Sequence, residues 1–194
     1  QMNAMPRRPA SRLEQLLRSR QFVITAEIAP PVSCDAEDLL RKARPLRELA
    51  DAVNVTDGAS ARANLSAPIA AAMLAREGIE PVLQLTCRDR NRIALQADLM
   101  GAAACGVHNL LCLTGDDPKA GDQPETKAVF DVDSATLTAT ARDLRDKGEL
   151  PSGRKVAGAA HFFLGAADAP IDPPSDWRPD KLAAKMAAGA EFAQ

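Results

Sequence analysis

Two carboxylates stand where apolar runs give out. Glu27 closes the run FVITAEIAPP, residues 22–31, and Asp116 follows the run NLLCL, residues 109–113. A carboxylate at the end of an apolar segment is costly unless it is paired, protonated or used. In an apolar wall such a group stays neutral and can donate a proton near neutral pH. A better solvated neighbour stays ionised and stabilises positive charge. The pair therefore fits a general acid beside an electrostatic stabiliser. The bland alternative, a backbone cap or an arginine partner, stands beside that reading for each acid.

Other polar residues fall at comparable places. Thr56-Asp57-Gly58-Ala59 follows the run 52–56, Thr86 follows 81–85, and Thr114-Gly115 precedes Asp116. Turns of this kind offer backbone N–H groups to a ligand oxygen, or simply cap the next helix. His108 and His161 precede their apolar runs, which puts them at the opposite end from the acids. Two histidines and four cysteines without a CxxC pair argue against a metal site. Arg88, Arg90 and Arg92 read as the solvated start of a helix, with a phosphate contact as the alternative. Phe162 and Phe163 read as core.

The elements that position these residues repeat. Apolar runs begin near residues 22, 52, 81 and 109, about one βα unit apart. The first run, ending in Pro30-Pro31, reads as a strand buried on both faces. Helical spacing marks 11–20, 35–50 with a kink at Pro45, 66–77, 91–105, 134–147 with Ser134 as cap, and 180–188. A fifth strand spans 161–167, and 190–194 begins a sixth. Loops rich in Pro, Gly and charge cover 119–133, 149–157 and 168–179.

Such repetition builds either a (β/α)₈ barrel or an open doubly wound sheet. Polar strand ends gathered on one face favour the barrel, as does the lack of any GxGxxG after a strand. Eight units need roughly 250 residues, and the chain has 194. The expectation is the first five βα units and the start of strand six, a piece of a longer protein with one bare sheet edge, not stable alone. Residues 1–21 form a basic segment and short helix, with 1–12 outside the fold and Gln1 before Met2 as a remnant. Residues 22–194 are the N-terminal part of a single barrel domain.

Composition narrows the classes. Lys and Arg number 24 against 26 Asp and Glu, so charge gives no pull toward nucleic acid or an acidic membrane. No apolar stretch has the length of a membrane span. Scattered cysteines suit free thiols and a cytoplasmic setting.

Seven segments together carry a resemblance: TAEIAPP, VNVTDGASAR, QLTCRDRN, CLTGDDP, VFDVDS, FFLGAADAP and LAAKMAAGAEF. In this order they resemble methylenetetrahydrofolate reductase, a (β/α)₈ flavoenzyme family, over nearly all of residues 22–194. The resemblance implies FAD held non-covalently, NADH or NADPH as electron donor, and reduction of 5,10-methylenetetrahydrofolate to 5-methyltetrahydrofolate. It implies Glu27 as the acid toward folate N10, and Asp116 near flavin and pterin, favouring the cationic iminium; both would touch the substrate. Thr56 would help bind the nicotinamide. Flavin contacts would come from Asp57, Ala59, Gln84, Thr114, Gly115, Asp116, Asp131, Asp168 and Lys185, the last toward the pyrophosphate. A homo-oligomer in one-carbon and methionine metabolism is expected.

Better-known bacterial members carry Tyr, His, Arg and Tyr where this chain has Asp57, Gln84, Thr114 and Asp168. Some relatives work without flavin. Two other readings remain: a pterin-dependent methyltransferase barrel or its corrinoid partner, and a non-catalytic subunit of a one-carbon complex. Neither would be yellow.

Overall fold

Six strands lie side by side in chain order: β1 (Thr25–Ile28), β2 (Ala52–Val55), β3 (Pro81–Thr86), β4 (Asn109–Leu113), β5 (Phe163–Ala166) and β6 (Phe192–Ala193). Each neighbouring pair is parallel. Every crossover therefore steps one strand in the same direction. A doubly wound sheet reverses its strand order, so that alternative falls. Right-handed crossovers of one direction put the helices on one face and leave the sheet to curl around the other. The result is a parallel α/β half-barrel, described for residues 7–169 and 172–194 of a computed structural model.

Strand alternation gives this sheet two cores. Val53, Val55, Leu83, Leu85, Leu110, Cys112 and Leu164 face outward beneath the helices, among Leu39, Leu74, Leu99, Leu137 and Leu144. Ala52, Val82, Leu111 and Phe163 form a smaller inner cluster with Leu13. The helices are α1 (Arg12–Arg18), α2 (Ala36–Ala43), α3 (Ala67–Arg76), α4 (Arg92–Ala104), α5 (Ser134–Lys147) and α6 (Asp180–Ala188). Asp35 and Asn91 cap α2 and α4 through backbone N–H groups of the first turn. The cap of α5 is Asp133, not Ser134: Asp133 is extended and accepts from Thr136 N–H, while Ser134 is the first helical residue. Pro45 ends the helix expected over 35–50 instead of kinking it: α2 stops at Ala43 and a 3₁₀ turn, Arg44–Leu46, carries the proline.

Two expectations about the first strand region need correction. Residues 7–11 belong to the fold. Ser11 caps Glu14 N–H and its Oγ donates to Asn109 Oδ1 at 2.6 Å. The Glu80 carboxylate accepts from Arg12 N at 2.9 Å and Leu13 N at 2.8 Å, placing negative charge at the start of α1. Leu13, 1% exposed, plugs the N-terminal end of the inner core. Glu14, wholly buried, takes Arg7 at 2.6 Å and Arg18 at 2.8 Å, and Arg18 also reaches Glu191 just before β6. Residues 1–6 lie outside the described residues.

The second correction concerns β1. It pairs only with β2 among the described residues, and Phe22 and Ile24 are exposed. An apolar run is buried on both faces only when both faces are covered, and here β1 is an edge.

All four cysteines are free thiols. Burial pushes Cys112 up to about 12 and Cys87 to about 11, whereas Cys34 and Cys105 are exposed. A thiol held that high stays neutral and unreactive near pH 8. In the folded full-length protein, a maleimide at pH 8 is expected to label Cys34 and Cys105 and to spare Cys87 and Cys112 until denaturant is added; mass spectrometry of the labelled peptides reads this. Leu13→Ala is expected to destabilise the full-length protein by about 2–5 kcal/mol in urea unfolding, because it empties a closed site.

Candidate active site

The C-terminal ends of β1 to β4 surround a cleft of about 300 Å³. Glu27 comes from β1, Thr56 to Ala59 from the turn after β2, Gln84, Thr86 and Arg88 from β3 and its extension, and Leu113 to Asp116 from the end of β4. Glu27 and Asp116 thus share one mouth. Gln84 Nε2 donates to Glu27 Oε2 at 2.9 Å. Neither acid sits in an apolar wall, contrary to expectation: both are exposed on the rim. The cause is the edge position of β1 for Glu27, and a turn beyond the strand for Asp116.

Asp57 plays a different part from the rim acids. Its Oδ2 accepts from Thr86 N at 2.8 Å, from Thr86 Oγ1 at 3.0 Å, and from Arg90 Nη2. Arg90 then reaches Asp98 Oδ2 on α4 at 3.0 Å. Burial pushes the Asp98 carboxyl up, against the pull of Arg90. The chain Thr86–Asp57–Arg90–Asp98 ties the end of β2 to β3 and α4, so the floor of the cleft is fixed by charge-assisted bonds.

Arg88 was legible only as a solvated arginine, and the structure overturns that. It is 2% exposed and forms part of the cleft wall. Its Nε and Nη2 fork onto Asp89 at 2.9 and 2.8 Å, and Nη2 also donates to Gly58 O at 3.1 Å. Two glycines make room for it. Gly58 has φ +61°, and a Cβ there would stand 2.5 Å from Arg88 Nη2. Gly115 has φ +99°, and a Cβ there would stand 3.0 Å from Arg88 Cβ and 3.1 Å from Thr86 Cβ. A usable signal was present in the sequence: continuing the two-residue alternation of β3 puts Gln84, Thr86 and Arg88 on one face. Arg92, by contrast, is exposed and pairs with Asp131, whose carboxyl it holds down to about 2.

The residues singled out from sequence divide accordingly. Glu27, Thr56, Asp57, Ala59, Gln84, Thr114, Gly115 and Asp116 come together in the cleft. Thr114 also borders a second recess with Ser134, Lys181 and Lys185, at the start of α5. Lys185 Nζ donates to Ala167 O at 2.7 Å there. Asp131 and Asp168 line neither space: Asp131 is held by Arg92, and Asp168 donates its N–H to Gln194 O at 2.8 Å. His108 lies at the opposite end of the sheet, its Nδ1 3.1 Å from His161 O, as expected. Among the described residues no three His, Cys, Asp or Glu side chains group as a metal site, and no helix is long and apolar enough to cross a membrane. Asn54, level with Glu27 on the neighbouring strand, is 7% exposed, and its Oδ1 has no partner. Sequence reasoning missed this residue because an Asn inside AVNV carries no periodic signal of its own.

No curated protein sequence matches the chain. Among solved structures, a 2,3-dimethylmalate lyase of the PEP mutase/isocitrate lyase superfamily is similar at 15% identity and TM-score 0.60, over 97% of this chain and 62% of that one. An oxaloacetate acetylhydrolase is similar at 16% identity and TM-score 0.56, over 96% of this chain and 63% of that one. At such identities the likeness is one of fold alone, and the chain spans about six-tenths of the length of either structure. The sequence model of methylenetetrahydrofolate reductase matches residues 12–194, from the first helix through β6 and including every residue of the cleft. The chain therefore belongs to the methylenetetrahydrofolate reductase family.

Proposed function

We propose that the protein reduces 5,10-methylenetetrahydrofolate to 5-methyltetrahydrofolate, using FAD held non-covalently within a (β/α)₈ barrel of which this half-barrel is a part. Membership of the methylenetetrahydrofolate reductase family supports an oxidoreductase with a folate-related substrate. The observation that carries the finer reading is the convergence of Glu27, Gln84, Thr56 and Asp116 on one mouth at the C-terminal edge of the sheet, where parallel barrels hold their active sites.

The residues present fit a planar, polar ring group. Asn54 Oδ1 is a buried acceptor without a partner. Gly115 lies against Arg88 and Thr86 with no room for a side chain, so it presents bare backbone to the cleft. Thr114 links the cleft to the recess at the start of α5, where Lys181 and Lys185 suit a pyrophosphate. Asp57, Ala59, Gln84, Thr114, Gly115 and Asp116 would hold the ring portion, with Thr56 toward the nicotinamide of an NADH or NADPH donor. Asp131 and Asp168 are farther candidates on the loops beyond.

Bound FAD supplies the hydride. Before that transfer, Glu27 would give its proton to folate N10 as the bond from N10 to the bridging carbon breaks, leaving that carbon as a cationic iminium on N5, the acceptor of the hydride. Gln84 fixes one Glu27 oxygen, which leaves the other to exchange the proton. A ligand stacked over the rim would displace water from Glu27. Asp116 faces the iminium cation across the same mouth.

Purified full-length protein is expected to show flavin absorption bands in the visible. Glu27→Gln is expected to keep those bands but to slow oxidation of the reduced protein by the folate about 10²- to 10⁴-fold in anaerobic stopped flow, the span that positioned acids contribute. Unchanged rates would remove Glu27 from the reaction, and a colourless wild type would remove the flavin.

A further inference from the structure

Arg88 is the one arginine or lysine among the described residues lining the cleft, and its guanidinium is only partly committed. Nε and Nη2 are taken by Asp89 and Gly58 O. Nη1 has no protein partner among the described residues, and it is not sealed among the buried polar atoms that lack one. A buried arginine with two N–H groups unanswered, in the wall of a binding cleft, is an unfilled donor site. Its position is over-determined. Val129 N–H donates to Arg88 O at 2.7 Å, and Cys87 N–H is held by the end of β4. Gly58 and Gly115 hold left-handed backbone beside it, where a side chain would collide with it.

The other charged residues of the lining are acidic: Glu27, Asp57 and Asp116. Arg90 answers Asp57 from outside the cleft. An electron-rich ligand in this cleft therefore meets one cationic side chain among the described residues, that of Arg88. Arg90 is bound to two carboxylates.

We infer that Arg88, through Nη1, is the binding residue that receives the electron-rich carbonyl edge of the redox ring cofactor and stabilises its reduced, more negative state over its oxidised one. The inference rests on the flavin reading above and adds to it the residue that sets the cofactor's redox balance. It follows from charge: a fixed cation facing a group that gains negative charge favours the reduced form, the more so at a site shielded from water. Asp89 partly offsets that cation from the outer side, since its side chain is 45% exposed while that of Arg88 is 3% exposed.

Two substitutions in the full-length, cofactor-loaded protein test this from opposite directions. Arg88→Gln removes the cation. The affinity for reduced relative to oxidised flavin is expected to fall about tenfold, read as a midpoint potential about 30 mV more negative for two electrons. Asp89→Asn leaves one of the two oxygens that accept from the Arg88 guanidinium and removes the counter-charge. Its potential is expected to rise, with the affinity ratio up about threefold. Spectroelectrochemical titration of wild type and both variants gives the values without reference to turnover. A merely structural Arg88 would leave the potential in place while lowering the melting temperature. Should Arg88→Gln fail to fold, Asp89→Asn decides alone: an unchanged or lower potential overturns the inference. Wild-type potentials in both variants overturn it while leaving the flavin reading intact. A wild type that takes up no flavin overturns both together.

Discussion

Parallel register is the constraint on which this molecule depends. Because β1 to β6 run the same way and pair in chain order, every strand starts at one end and finishes at the other. The inward-facing row then changes character along its length. Near the starts it is apolar, with Ala52, Val82 and Phe163 closed over by Leu13. Toward the ends it becomes Glu27, Thr56, Gln84 and Thr86. A slip of one residue in any strand would turn its polar end toward the helices and its outward leucines into the mouth, so the packing beneath the helices enforces the placement of the site residues.

The same alternation explains what was readable in the sequence and what was not. Strand ends at Glu27, Thr56 and Thr86 were readable because an apolar run stopped at each. Helix limits were readable where a capping residue marks them, as at Asn91, but Pro45 read as a kink and in fact ends α2. Exposure was not readable. FVITAEI is apolar enough for an interior strand, yet β1 is an edge, and nothing in a single run states how many neighbours it has. The basic segment before α1 looked like a tail because its partners, Glu80, Asn109 and Glu191, lie far along the chain. Ser134 and Asp133 are both good caps by type, and the backbone conformation alone decides between them.

Arginines show the limit most plainly. Arg88, Arg90 and Arg92 occur within five residues and are chemically identical, but the structure gives them three roles. Arg92 lies on the surface with Asp131, Arg90 locks Asp57 to Asp98, and Arg88 is walled into the cleft. What separates them is the last stretch of strand alternation carried past Thr86 and then broken by α4. Where the chain changes period from two to 3.6, a shift of one residue exchanges inside for outside.

The fold likeness and the family likeness answer different questions. A lyase and a hydrolase are similar in fold at about 15% identity, which is what a scaffold set by apolar alternation permits. The cleft is not so permissive. Gly58 and Gly115 adopt left-handed backbone on two separate loops, and both spaces they leave are occupied by the same arginine. Such backbone favours glycine, and a helix or strand interior has no use for it. Two glycines placed around one buried cation are thus a cost accepted for the site and not for the scaffold. The cleft of this half-barrel is shaped at the turns after β2 and β4, while β1 and β3 bring Glu27, Gln84 and Thr86 to it.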